Sequence, residues 1–306
     1  MNSPIRFERY RSIIDDWEGF QDALRRPLPT CVWANPLKTT PAELEDHLRA
    51  QKIDFEPLAW KVGAYRLRDL ARPGTRLAYI AGLLQTQEEV SMVPVELLDL
   101  QPGHRVLDAC AAPGSKTTQI GAKLGISGTV IANDRDFRRL RALARSLDRL
   151  GIVNTAVLNA DATNLPEEIG SFDRVLADVP CSCEGTSRKN LEITAATPED
   201  FTSRATIQQA ILKRCVELCR PGGRVVYSTC TYAPEENEAI VDAVLEQFGD
   251  LVQLLPARLQ GLDGTAGLAR WGKREFSPQL KHALRIYPHH NDTGGFFVAV
   301  LKKRED

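Results

Sequence analysis

The feature that most constrains this chain is an alternation beginning near residue 104, in which short apolar runs are each followed by a turn and then by a stretch of helical character. Arg105 to Cys110 (RVLDAC) is the first run, Pro113-Gly114 the turn, and Ser115 the start of a helix that Gly125 ends. Thr129 to Asn133 is a second strand, followed by an arginine-rich helix that stops at Gly151. Asn154 to Asn159 and Asp173 to Ala177 give a third and a fourth strand. A long helix is predicted from Pro198 to Leu218, because proline suits a first helical turn and Pro221-Gly222-Gly223 closes it; Arg224 to Ser228 is the fifth strand. Strands alternating with helices imply an α/β protein with a doubly wound, largely parallel sheet.

The flanks are read from the same signals. After Glu235-Glu236-Asn237 a helix is predicted to Phe248, then a short strand from Leu251 to Leu255. Leu284 to Tyr287 and Phe296 to Leu301, separated by Asn291 to Gly295, suit an antiparallel pair at the end of the sheet. Upstream, Arg6 to Leu24 reads as an amphipathic helix, Thr30 to Ala34 as a strand, and Pro41 to Gln51 as a helix introduced by Thr39-Thr40. The expectation is a small α+β domain over residues 1–85, joined near Pro73-Gly74 or shortly after to a larger domain over residues 86–306.

At 306 residues, 43% hydrophobic and 26% charged, the chain has an ordinary globular composition and can bury a sizeable core without staples. No apolar stretch approaches a membrane span, and Arg6, Glu8, Arg9 and Arg11 stand where a signal peptide would need an apolar run. Seven scattered cysteines do not make a secreted disulfide framework, so a reducing cytoplasm and a monomer are expected. A net charge of −1 argues against coating nucleic acid by charge alone, but not against a specific binder with basic patches. One such patch holds Lys61, Arg66, Arg68, Arg72 and Arg76. Another runs from Arg135 to Arg149, where helical spacing makes the arginines the wet face of an amphipathic helix.

Two cysteines, Cys181 in Asp178-Val-Pro-Cys181 and Cys230 in Tyr227-Ser-Thr-Cys230, follow strand-like runs. If both strands belong to one parallel sheet, both thiols open onto the edge where such sheets bind ligands, held by rigid elements. Asp108-Ala-Cys-Ala-Ala-Pro-Gly-Ser-Lys-Thr117 is neither G-x-G-x-x-G nor a P-loop, yet its small residues admit a ligand to the backbone and to a helix N-terminus. Asp134, at the end of the second strand, is where an acid grips ribose hydroxyls, and Asp161 stands similarly for an adenine amine. Singly, either aspartate is more often a helix or turn cap; three strand-end acids in consecutive units, Asp108, Asp134 and Asp161, favour a nucleoside. Cys31, Cys110, Cys215 and Cys219 are read as small buried hydrophobes, and no metal is assigned. Cys181 and Cys183 share one side if their segment is extended, but a C-x-C pair without further ligands makes a poor metal site. Arg188-Lys189-Asn190 reads as a phosphate contact or a solvated loop, and Trp33, Trp60 and Trp271 as core.

The loop from Asp108 to Thr117, Asp178-Val-Pro-Cys-Ser182, and Tyr227-Ser-Thr-Cys230 with Pro234-Glu-Glu-Asn-Glu238 resemble the S-adenosylmethionine-dependent RNA (cytosine-5) methyltransferases of the Sun/Nop, RsmB-like group. The resemblance extends to Gln87-Glu-Glu-Val-Ser-Met92, to Pro288-His289 and to Gly295-Phe-Phe297, covering roughly residues 75–303. It implies a Rossmann-like class I methyltransferase fold, S-adenosylmethionine as cofactor and ribosomal or transfer RNA as substrate. By the same resemblance Cys230 is the nucleophile, Cys181 assists proton removal and product release, Asp178 bonds the cytosine edge, and Lys116 supports that carboxylate. The cofactor would lie on Asp108, Cys110, Ala111, Ala112, Pro113, Gly114, Ser115 and Lys116, with Asp134, Arg135, Asp161, Ala162 and Asp178. Cys183 replaces the group's usual glycine and Thr231 its usual serine. Two rivals stay open: a non-catalytic RNA-binding scaffold, and DNA cytosine-5 methylation, in which the Pro-Cys thiol would be the nucleophile.

Overall fold

Alternate residues of the central strands face two separate cores, so the main sheet is covered on both sides. Val106, Leu176, Val226 and Val298 pack into one core with Ile120 and Leu124, while Leu107, Val175, Val225 and Ala299 pack into the other with Ile211, Leu212 and Val241. Each such fully buried aliphatic side chain contributes about 1.5 to 3 kcal/mol relative to exposure. The computed structural model describes residues 7–68, 73–193 and 197–305, and only the backbone of residues 198–200. Arg6, the start of the predicted first helix, and Arg72 of the first basic patch lie outside the described residues.

Among the described residues the main sheet has nine strands. Its order is Thr265–Ala266, Leu284–Ile286, Phe296–Lys303, Cys219–Thr229, Phe172–Asp178, Arg105–Asp108, Thr129–Asn133 and Thr155–Leu158, with Val252–Leu255 pairing beside the second half of Phe296–Lys303. The five strands from Thr155–Leu158 to Cys219–Thr229 are parallel, and the C-terminal ones join antiparallel, as Phe297↔Thr229 and Leu284↔Val298 show. This is the predicted α/β arrangement. The chain order reverses between Arg105–Asp108 and Phe172–Asp178, and that switch point opens a crevice beyond the strand ends.

The helices follow from local chemistry. Ser115–Leu124 starts at Gly114, whose φ of 113° brings its backbone against Leu143, and stops at Gly125. Phe137–Leu150 is capped by Asp136, which accepts from the Arg138 and Arg139 N–H groups, and ends on Gly151. Pro198–Leu218 has the predicted bounds. The strand after it differs: it begins at Cys219, and pairing steps from Phe172↔Cys219 to Arg174↔Arg224. Pro221-Gly222-Gly223 is therefore bulged out of a continuing strand instead of separating two elements.

The N-terminal helix also differs from expectation. A 3₁₀ turn at Glu8–Tyr10 is followed by a separate α-helix at Trp17–Arg25, which Asp16 initiates by accepting the Gly19 N–H. The break lets Tyr10 and Phe20 both reach an aromatic cluster with Tyr232. Residues 30–86 form a second, four-stranded antiparallel sheet ordered Phe55–Pro57, Ala64–Leu67, Thr30–Ala34 and Leu84–Thr86. Helix Pro41–Ala50 has a capping box between Thr40 and Glu43. This sheet docks on the helices of the main sheet through Asn35, which donates to the Leu150 carbonyl, and through Gln87, which follows its last strand, accepts from Trp33 and donates to Gln119.

Candidate active site

The strand pairing Asp178↔Ser228 brings the two cysteine motifs side by side. Cys181 Sγ and Cys230 Sγ lie 3.4 Å apart. Cys183 joins them, because a left-handed turn (φ 60°) folds its thiol back to 4.0 Å from Cys181 Sγ. The sequence put the two thiols on one side only for an extended segment; the turn brings them together instead. The three thiols share their protons unequally. Hydrogen bonds with Cys181 and Cys230 lower the Cys183 thiol below the ordinary range. Those with Cys183 and Cys230, together with burial, raise Cys181. At Cys230 the Cys181 hydrogen bond lowers the pKa, but the Cys183 bond, burial and the nearby acid outweigh it and raise the thiol.

Beside the thiols, Lys116 Nζ donates to Asp178 Oδ2 at 2.7 Å and to Ser91 Oγ at 2.9 Å, and Ser228 Oγ donates to Asp178 Oδ1 at 2.6 Å. Burial lowers the Lys116 pKa and the Asp178 charge more than restores it, so the net shift is upward. The carboxylate is thus held on both oxygens, with its orientation fixed.

Two cavities meet at this point. The first, about 370 Å³, is lined by Cys110, Ala112, Pro113, Ser115, Lys116, Asp134, Arg135, Asp161, Ala162 and Asp178, and reaches Cys181 and Cys230. That is a size suited to a small organic ligand. The second, about 510 Å³, lies between Gln85–Glu88, Lys189 and Gly294–Phe296 and shares Lys116, Asp178 and Cys230 with the first. Three predicted cofactor residues do not line the first cavity. Asp108 is buried beneath the loop, where Thr117 Oγ1 donates to its Oδ2 at 2.7 Å, and burial pushes its pKa up to about 7. Gly114 is packed against Leu143, and the Ala111 N–H donates to the Asn133 carbonyl. Asp134 accepts from the Ala112 and Asp136 N–H groups, so it braces the loop while facing the cavity. Asp161 caps its own turn, accepting from Thr163 N and Oγ1.

Sequence reading assigned no role to the residues that clamp the thiol loops. Glu236 accepts the Ser182 N–H at 3.0 Å and the Gln208 amide at 2.6 Å, and burial raises its pKa. Asn237 accepts from Thr229 Oγ1 and donates to the Thr231 carbonyl. Glu184 accepts from Tyr10 and Thr231, and Glu238 pairs with Arg285 in the core. The Gly185 N–H donates to the Cys230 carbonyl, and the Gly185 carbonyl accepts from Gly295. The signal was in Pro234-Glu-Glu-Asn-Glu238: a run of acids just before an apolar helix, at a place where ordinary surface acids were the alternative.

Other candidates fall elsewhere. Arg188 is buried, donating to the Thr293 and Pro27 carbonyls and to Asp292, so it holds the loop and is not free for phosphate. In the first basic patch Lys61 pairs with Glu96 and Arg66 with Glu89, leaving Arg68, paired with Glu56, and Arg76 exposed. Trp33, Trp60 and Trp271 donate to Gln87, Glu89 and Glu235, as core or boundary residues. Cys215 and Cys219 are buried. Among the described residues no helix is long and apolar enough to cross a membrane.

A two-sided parallel sheet with its crevice at the switch point, acids at successive strand ends and antiparallel C-terminal strands defines a Rossmann-like protein of the class I methyltransferase fold. The family model described as 16S rRNA methyltransferase RsmB/F matches residues 95–302, and the chain belongs to that family. It is 33% identical to a tRNA (cytosine(49)-C(5))-methyltransferase of Pyrococcus abyssi, over 97% of this chain and 94% of that protein. It is 35% identical to the human 28S rRNA (cytosine(4447)-C(5))-methyltransferase, over 93% of this chain but 35% of the human protein. The chain spans about a third to a half of such eukaryotic relatives. The crystal structure of a methyltransferase homologue from Pyrococcus horikoshii has a TM-score of 0.84 and 32% identity, covering 94% of this chain and 91% of that one.

Proposed function

We propose that this chain methylates C5 of cytosine in ribosomal or transfer RNA, as a monomer, with S-adenosylmethionine as donor and through a covalent bond from Cys230 to C6. The observation that carries this reading is the meeting of two cavities at Cys230, Asp178 and Lys116, with a second thiol 3.4 Å from the first. A nucleoside donor fits the first cavity, whose small-residue loop and acids Asp134 and Asp161 suit ribose and base. When bound, the donor supplies an electrophilic methyl group to C5. The second cavity is open enough for one unstacked base, so a locally opened RNA segment is the expected substrate. Residues 1–85 are read as the part that holds the surrounding RNA.

Cytosine C5 is a poor nucleophile; once the Cys230 thiol has given its proton to water at the open cavity, addition of the thiolate to C6 gives C5 enamine character. Asp178, held by Lys116 and Ser228, accepts from the base amine and fixes its orientation, and the adjacent Lys116 ammonium stabilises the negative charge that the addition places on N3. After methyl transfer, Cys181 assists removal of the C5 proton, and the C6–sulfur bond breaks to release Cys230. Two thiols at one edge serve this sequence of bond making and breaking better than they serve a non-catalytic scaffold.

The test uses labelled methyl transfer to RNA together with capture of protein–RNA adducts. Cys230→Ala should abolish capture and lower transfer on the order of 10⁴-fold or more, as loss of a covalent nucleophile does. Cys181→Ala should transfer methyl but accumulate the adduct. Capture that survives in Cys230→Ala and vanishes in Cys181→Ala would reverse the roles, and label entering DNA but not RNA would overturn the substrate.

A further inference from the structure

We infer that Cys181, Cys183 and Cys230 together form a binding site for a thiophilic metal ion, with Zn²⁺ as the representative member of the class. From the sequence, Cys181 and Cys183 were only a C-x-C pair. The fold adds a third thiol from a different strand, and the three sulfurs all lie within 4.8 Å of one another. Sulfurs bound to one Zn²⁺ at about 2.3 Å must stand about 3.8 to 4.0 Å apart, whether the arrangement is tetrahedral or trigonal. Here Cys181 Sγ is 4.0 Å from Cys183 Sγ and 3.4 Å from Cys230 Sγ, and the third pair is within 4.8 Å, so adjustments of less than about 1 Å bring all three sides to the separation that Zn²⁺ requires.

The scaffold around the sulfurs is already set. Gly185 N–H holds the Cys230 carbonyl, Glu236 holds the Ser182 N–H, and Cys183 is kept in its left-handed turn by the Thr186 N–H on its carbonyl. A cluster fixed in this way lowers the ordering needed when the ion arrives. A soft, all-sulfur donor set selects Zn²⁺ or Cu⁺ over Mg²⁺ or Ca²⁺. Among the described residues no imidazole joins the three sulfurs, which leaves a fourth position for water or an added thiol. Each thiol that binds exchanges its S–H bond for an S–metal bond and releases its proton to the medium, with no change in oxidation state.

The ion would occupy both sulfurs proposed for methylation, so metal binding and turnover exclude one another. That consequence rests on the proposed function, whereas the binding itself does not. Co²⁺ is the optical probe, since its sulfur charge-transfer bands report thiolate ligation directly, and Zn²⁺ affinity follows from competition with a coloured chelator. Reduced wild-type protein should bind one equivalent. Cys183→Ser should lose the charge-transfer bands and more than about a hundredfold in Zn²⁺ affinity, beyond the range that outer-shell changes cause. Cys183→Gly, which suits the backbone turn, should behave alike and separates ligand loss from misfolding. One equivalent of Zn²⁺ should stop wild-type methyl transfer but not that of either variant, each compared with its own metal-free rate. Wild-type-like binding in both variants, or binding lost in Cys215→Ala instead, would overturn the site. Cys183-dependent Co²⁺ bands in a protein that methylates no RNA would leave the site standing and remove the proposed function.

Discussion

The two ends of the crevice, the proposed nucleoside end and the thiol end, are built in opposite ways. At the nucleoside end the acids are braced by backbone groups from the same or adjoining strand ends: Asp134 by Ala112 and Asp136, Asp161 by Thr163. At the thiol end the braces come from far along the chain and from the interior. Tyr10, Gln208 and Glu236 converge on a loop at 181–184, and Glu238 meets Arg285 behind it. A ligand that brings its own shape needs a receptive backbone. Two thiols proposed to act on adjacent carbons of one base need two loops clamped to each other. Damage at the nucleoside end should therefore weaken affinity, and damage at the thiol end should weaken the fold.

The sharpest way to break this contrast is Glu238→Gln. The Arg285–Glu238 side chains are 2% and 0% exposed, and Arg285 also donates to the Tyr232 carbonyl. Removing one partner leaves a buried charge unpaired, which costs about 3 to 5 kcal/mol. Denaturant unfolding should show that loss, and the variant that remains folded should bind the methyl donor as the wild type does. A loss below about 1 kcal/mol, the range of surface pairs, would mean that the thiol end is not braced from behind.

A second prediction concerns the most deeply buried of the nucleoside-end acids. Asp108 has its pKa pushed up to about 7 by burial. Between the ordinary aspartate range and that value the folded chain holds a proton that the unfolded chain has released, so stability falls as pH rises through this window. Above about pH 7 the penalty is constant, at up to about 4 kcal/mol from 1.36 kcal/mol per unit. Asp108→Asn keeps an acceptor for Thr117 and removes the ionisation. Its stability relative to wild type should rise as pH goes from about 4 to about 8. A pH-independent difference would place the Asp108 charge in a better-solvated setting than the buried one described.

The same contrast explains what was legible in the sequence. The parallel strands, the helix bounded by Gly114 and Gly125, and the loop from Cys110 to Lys116 depend on neighbours in the chain, and reading turns and periodicity is enough to find them. The meeting of Cys181 with Cys230 followed only once both strands were assigned to one sheet. Features that depend on distant neighbours or on unusual backbone were not legible. Cys183 joins the thiols through a left-handed turn that a non-glycine residue rarely adopts. Arg188 looked like a free cation because its carbonyl partners at residues 26, 27 and 293 are distant in sequence. Pro221-Gly222-Gly223 looked like a break because a bulge and a turn share the same residues.

The smallest expected effect tests whether Asp161 is a ligand or only a cap, the ambiguity its sequence position carried. Its carboxylate caps Thr163, and those bonds lower its pKa while its side chain stays exposed at the cavity edge. Asparagine caps a turn nearly as well as aspartate, so Asp161→Asn should leave thermal stability unchanged. It would, however, turn a charge-assisted acceptor into a neutral one, a difference of about 1 kcal/mol. Calorimetry should then show donor affinity falling about fivefold. Because the wild-type carboxylate is held below the ordinary range, the ratio should stay constant above about pH 5 and narrow only under more acidic conditions. Unchanged affinity would make Asp161 a cap alone and leave Asp134 as the acid that faces the nucleoside, whereas a loss of stability with no change in affinity would mean that the turn, and not its charge, shapes that end of the crevice.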